Sequence, residues 1–147
     1  MNSKNISTLN KMSRSDLVDL YNIRCCSSVV LMEELHPDTL LTTDLSGLKT
    51  FSQEELGLEE ISISGVSSAL DQLGFRPATL RELIIWGATA WNRIGRVFAT
   101  GIRLQSRLEH EHVPNLDQYE FRVRLDHDLW VKNITWFPDW IFLAAPK

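Results

Sequence analysis

Apolar positions change their period midway along the chain. From Ser13 to Trp91 they recur mainly with helical spacing, and after Arg96 they alternate with polar residues as strands do. The clearest helix begins at Thr79. Leu80, Leu83, Ile84, Gly87 and Trp91 follow the i, i+3, i+4, i+7, i+11 stripe of a buried face, and Ile85 with Trp86 widens that stripe beyond one side. Its start carries a reciprocal T-x-x-E cap, Thr79 with Glu82, behind a proline that cannot continue any earlier helix.

Upstream, residues 1–12 are polar and read as a flexible leader. Ser13-Arg14-Ser15-Asp16 offers capping residues to a helix carrying Leu17, Val18, Leu20, Tyr21 and Ile23. Val29-Val30-Leu31-Met32 suits helix or short buried strand, and His36-Pro37 is a break. Ser52-Gln53-Glu54-Glu55 is a second capping box, with Gly57 too close to allow more than one turn. Ile61 and Ile63 alternate as a short strand would. Ser64 then caps a helix with Val66, Ala69, Leu70 and Leu73 on its face, and Gly74 stands where a left-handed stop belongs, followed by Phe75 for the accompanying apolar contact.

Downstream, Arg96–Leu104 reads as a strand, with Gly101 a bulge or a point of close packing. Glu109–His112 is a polar connection and Val113–Leu116 a turn or edge segment. Phe121, Val123 and Leu125 alternate with Arg122 and Arg124, Asp126-His127-Asp128 suits a turn, and strands follow at Leu129–Phe137 and Trp140–Ala145. The expected fold class is α+β: residues 13–95 mainly helical, packed on an antiparallel sheet of about four strands within 96–147.

These segments carry a resemblance. Arg76-Pro77-Ala78-Thr79-Leu80-Arg81-Glu82-Leu83-Ile84, Val97–Leu104, Val113-Pro114-Asn115-Leu116, then Trp136-Phe137, Trp140 and Phe142-Leu143-Ala144-Ala145-Pro146-Lys147 resemble a family of small uncharacterised bacterial proteins. That family shares an R-P-A-T-L-x-E-L-L helix start and a closing W-F…W…F-x-A-x-K strand module. The likeness covers about half the chain and departs from the family between Leu116 and Asn133 and through the first 60 residues. The shared motifs build structure, and the resemblance implies no activity, cofactor or site.

Composition narrows the class. At 147 residues with 44% apolar and 23% charged side chains, the chain can bury a core without a staple. No apolar run approaches membrane-spanning length and no secretory signal opens the chain, so a cytoplasmic protein is expected. Cys25 and Cys26 are adjacent, which disfavours a disulfide between them, and no C-x-x-C suggests zinc.

Charge is uneven within a net of −4. Residues 1–74 hold 5 basic and 11 acidic side chains; residues 75–147 hold 10 and 8. Six arginines from Arg76 to Arg107 face a single acid, Glu82. Arg93, Arg96 and Arg103 beside Trp91 resemble a nucleic-acid rim, although a sequence pI near 5.5 and internal acidic partners argue for solvated or paired arginines.

Three chemistries compete. His110, His112 and His127 with nearby carboxylates offer a metal set or a histidine base, without the spacing of a known motif or a nucleophile to serve. No phosphate-cradling glycine loop occurs and no cofactor is called for. Trp130, Trp136 and Trp140 lie on segments apolar at both parities. Such a sheet is either covered on both faces or offers one to a partner. The leading expectation is therefore a non-enzymatic protein-binding or self-associating module using Trp130, Trp136, Trp140, Arg93, Arg96 and Arg103.

Overall fold

A computed structural model describes residues 3–13, 15–17, 19, 29–34, 47–59, 62–90, 96–106, 111–119, 122–129 and 140–147. Helix α1 (Ser3–Lys11) occupies the stretch expected to be a leader, and its Leu9 is buried. After it come strands β1 (Val29–Glu34) and β2 (Lys49–Ser52), helix α2 (Ile63–Gln72), strand β3 (Phe75–Pro77) and helix α3 (Leu80–Ala90). Strands β4 (Val97–Phe98), β5 (Ile102–Ser106), β6 (Glu111–Tyr119), β7 (Arg122–Leu129) and β8 (Ile141–Pro146) complete the order.

The α+β class holds, with a correction to the sheet. It is mixed rather than antiparallel, because β4 runs parallel to β8 while the remaining described pairs are antiparallel. It also draws strands from residues 29–34, 49–52 and 75–77, in the half expected to be mainly helical. Ala144 of β8 pairs with Lys49 on one side and Pro77 on the other; Phe142 likewise stands between Phe51 and Phe98. Strands β3 and β4 therefore lie end to end along the same side of β8, and β2 takes the opposite side.

Where β3 and β4 meet, the backbone makes a close crossing. The Gly101 N–H donates to the Ala78 carbonyl at 2.9 Å, and Ala78 in turn donates to the Leu143 carbonyl at 3.1 Å. The crossing pulls Ala99-Thr100-Gly101 out of line and splits the expected single strand into β4 and β5. The register shift is visible on β6: Phe98 faces Asn115, whereas Leu104 faces His112. The bulge also accommodates Pro114 inside β6. Ala99 donates to the Pro114 carbonyl at 3.1 Å, and the N–H that proline lacks would point toward the same bulge, where no ladder partner stands. Residues 113–116 thus sit within a strand rather than at a turn, and Asp126-His127-Asp128 pair with Asn115, Pro114 and Val113 in β7.

Both faces of the sheet's centre are covered. On one, Val66 and Leu70 of α2 with Leu56 pack against Phe98, Val113, Trp140, Phe142 and Ala144. On the other, Leu83 and Trp86 of α3 pack against Val97, Ala99, Leu116 and Leu143. Alternation along β8 sends Phe142 and Ala144 to the α2 side and Leu143 to the α3 side.

Helix boundaries follow local chemistry. The Ser13 hydroxyl accepts from Asp16 N–H at 3.1 Å, and the Asp16 carboxylate accepts from Ser13 N–H at 3.4 Å. Helix α2 is capped by Ser62, whose hydroxyl accepts from Gly65 N–H at 3.0 Å; this displaces the expected cap at Ser64 and puts Ile63 in the first turn instead of a strand. Gly74, at φ 84°, supplies the left-handed stop after α2.

Arg81 ties α1 to this framework. Its side chain is buried, and its guanidinium donates to the carbonyls of Leu9 and Met12 at the C-terminal end of α1, where unpaired carbonyls favour a cation. Replacing Arg81 with Met is expected to cost roughly 2–3 kcal/mol, the scale of hydrogen bonds to a charged group. Amide exchange should show α1 losing protection ahead of α2 and α3. Unchanged protection of α1 would refute the role assigned to Arg81.

Candidate interaction surface

The N-terminal turn of α3 gathers the buried charges. The Glu82 carboxylate accepts from Thr79 N–H at 3.0 Å while the Thr79 hydroxyl accepts from Glu82 N–H at 3.3 Å, completing the capping box. Arg76 grips the same carboxylate with both terminal nitrogens, at 2.8 and 3.0 Å. Arg76 and Arg81 of the arginine cluster thus hold structural roles, Arg76 at the Glu82 carboxylate and Arg81 at the end of α1. Arg96 lies over the Trp140 ring at 5.8 Å.

Trp140 corrects one expectation. It is 8% exposed and stacks on Phe98 at 4.4 Å, with Phe98 packed on Phe142 in turn. It belongs to the core, because α2 covers that face of the sheet. Arg103 is half-buried on β5, opposite Glu33 of β1. Trp130, Trp136, Arg93 and His110 lie outside the described residues, as do Cys25 and Cys26. On the ladder between β6 and β7, His112 pairs with Leu129 and His127 with Pro114, so the two histidine positions are diagonal neighbours. Among the described residues no three His, Cys, Asp or Glu side chains are grouped to hold a metal ion.

Two open depressions among the described residues bear on binding. One, of about 700 Å³, is lined by Ser67, Ser68, Asp71, Arg76, Pro77 and Lys147, with Phe75 between it and the second. Its charges are already matched, Lys147 to Asp71 and Arg76 to Glu82.

The second, a trough of about 570 Å³, runs along β2 and is the stronger candidate. It is lined by Leu48, Lys49, Thr50, Phe51, Glu55, Leu73, Phe75 and Trp86. Phe51 and Phe75 meet edge to face at 5.2 Å, reaching toward each other from the strands on either side of Ala144. The Lys49 ammonium stands 5.4 Å above the Phe75 ring. Leu73, read in the sequence as part of the buried face of α2, is instead 49% exposed at the helix end, and it is the exposed large apolar side chain among the described residues.

Strand β2 forms one wall of this trough and ends the sheet path. Ile141 donates to Arg96 and Leu143 accepts from Ala78, so both turn their backbone groups away from β2. Their partners Ser52 and Thr50 must likewise turn theirs outward, as alternate residues of an antiparallel pair do. At Ser52 those groups are occupied. Its N–H donates to the Glu55 carboxylate at 3.2 Å and its carbonyl accepts from Leu56 at 3.1 Å, in the one-turn capping box that the sequence foretold. Thr50 presents both groups to the outer side, where no described strand pairs with it.

No protein-family model, curated protein or solved structure matches the chain. Fold and surface together define an α+β protein with a mixed sheet covered on both faces at its centre and an open trough along β2, the strand that ends the sheet among the described residues. Among the described residues no helix is long and apolar enough to cross a membrane.

Proposed function

We propose that this protein works by binding rather than by catalysis, as an interaction module that receives an extended, partly apolar protein segment in the trough along β2. The observation that carries this reading is Leu73, an aliphatic side chain half in solvent beside an aromatic pair and an outward-facing strand. Apolar anchors beside an open sheet edge suit strand addition, where backbone hydrogen bonds supply affinity and side-chain pockets supply selectivity. The contact surface thereby moves from the tryptophan-rich sheet face to the β2 side, since Trp140 is spent on the core. The reading keeps the protein in the cytoplasm, where adjacent Cys25 and Cys26 stay reduced.

Peptides selected from a random displayed library against the intact chain are expected to alternate apolar and polar residues. Leu73→Asp should weaken them about 10-fold or more, as loss of an interface anchor does. The exposed position should leave folding within about 0.5 kcal/mol of the parent. Selection that yields no peptide sensitive to Leu73→Asp overturns the reading.

A further inference from the structure

We infer that the segment received by the trough is β2 of a second copy of this chain, paired antiparallel about a two-fold axis at Thr50. The inference rests on the interaction reading above and names its partner. A two-fold contact needs a surface that complements itself. Centring it on Thr50 meets that need. Each Thr50 N–H donates to the Thr50 carbonyl of the other copy, and these are the outward groups that the Ser52–Glu55 turn leaves available on β2.

The register then sets Lys49 of one copy opposite Phe51 of the other, and Leu48 opposite Ser52. Phe51 lies on the α2 side, and Lys49, two residues away and above Phe75, shares that side. The facing pair therefore extends the ammonium-over-ring contact already present within one copy. Thr50 meets Thr50 on the other side, a favourable cross-strand pair.

Charge agrees with this arrangement. Glu55 holds its carboxylate at the outward N–H of Ser52, so in the two-fold register it stands beside Leu48 and Lys49 of the second copy. Lys49 and Glu55 are both exposed, and the axis makes their attraction occur twice. A foreign strand would gain the contacts of one trough but, of the backbone hydrogen bonds on β2, those of Thr50 alone, because those of Ser52 are taken. A second copy gains the same contacts with two Lys49–Glu55 pairs and a trough from each side.

Sedimentation equilibrium of the full chain at roughly 100 μM, where micromolar association saturates, is expected to give twice the 16.9 kDa chain mass. Thr50→Pro removes the donor at the centre, and an edge strand tolerates proline where its N–H faces outward; it should return the single-chain mass with circular dichroism unchanged. If Thr50→Pro unfolds the chain, a charge swap replaces it. Lys49→Glu should weaken the dimer ~10-fold, and Lys49→Glu with Glu55→Lys should restore it. A strictly monomeric parent overturns the inference, as does a dimer unaffected by Thr50→Pro or Lys49→Glu. A monomer that still binds Leu73-sensitive peptides leaves the interaction reading standing, whereas a monomer that binds none removes both.

Discussion

Glu82→Ala is expected to bring the protein close to unfolding at room temperature. The carboxylate is 7% exposed and its partner Arg76 15%, so removing it strands a guanidinium with little water to replace the lost ion pair. Breaking a buried pair from one side costs about 3–5 kcal/mol. Losing the reciprocal cap at Thr79 adds about 1 kcal/mol. Against a usual total of about 5–15 kcal/mol, that loss is severe. Glu82→Gln separates the two contributions, since its amide oxygen can still accept from Thr79 N–H while the charge is gone. Urea midpoints should therefore rank parent, then Gln, then Ala. Arg76→Leu with Glu82→Leu should recover part of the loss, because no uncompensated charge remains. If the double variant falls as far as Glu82→Ala, the ion pair is not what makes Glu82 indispensable.

The second large effect is expected from adding one methyl group to Gly101. A Cβ there would lie 2.5 Å from the Ala78 carbonyl oxygen and 3.0 Å from the Pro77 carbonyl oxygen. Neither oxygen can withdraw easily, since Ala78 is bonded to Leu143 and Pro77 is paired with Ala144. Gly101→Ala should cost about 3 kcal/mol, the upper end for overpacking. Gly87→Ala provides the contrast. Its added Cβ would meet Leu116 Cδ1, the end of a side chain that can rotate, and the helix gains from alanine. A smaller loss at Gly87 than at Gly101 is the expected order in thermal melts. The reverse order would show that β3 and β4 do not depend on their crossing.

What the sequence disclosed, and what it concealed, divides by range along the chain. The caps at Ser13, Ser52 and Thr79 and the stop at Gly74 each involve residues within a few positions, so their chemistry is written in adjacent letters. The wide apolar stripe of α3 was equally legible: Leu80, Leu83, Ile85 and Trp86 are all buried. Gly101 could be read as a bulge or a close approach, and it is both. Its counterpart at Ala78 could not be named, because small residues pack against many things. The direction of β4 was hidden for a similar reason, since two residues, Val97 and Phe98, carry no directional pattern. Trp140 misled because alternation shows which residues share a face and is silent on what covers it. The trough was illegible altogether. It joins Leu48 to Glu55, Leu73, Phe75 and Trp86, and only the pairing of β2 and β3 with the same strand brings them together.

That shared strand has a bearing on how the chain assembles. Strand β8 is flanked by β2, β3 and β4, and all three precede it in sequence, β2 by about ninety residues. Emerging from the ribosome, the three segments have no common strand partner among the described residues until residues 141–146 appear. The late strand acts as a keystone, so synthesis should leave a long interval in which Phe51, Phe75 and Phe98 remain open to chaperones.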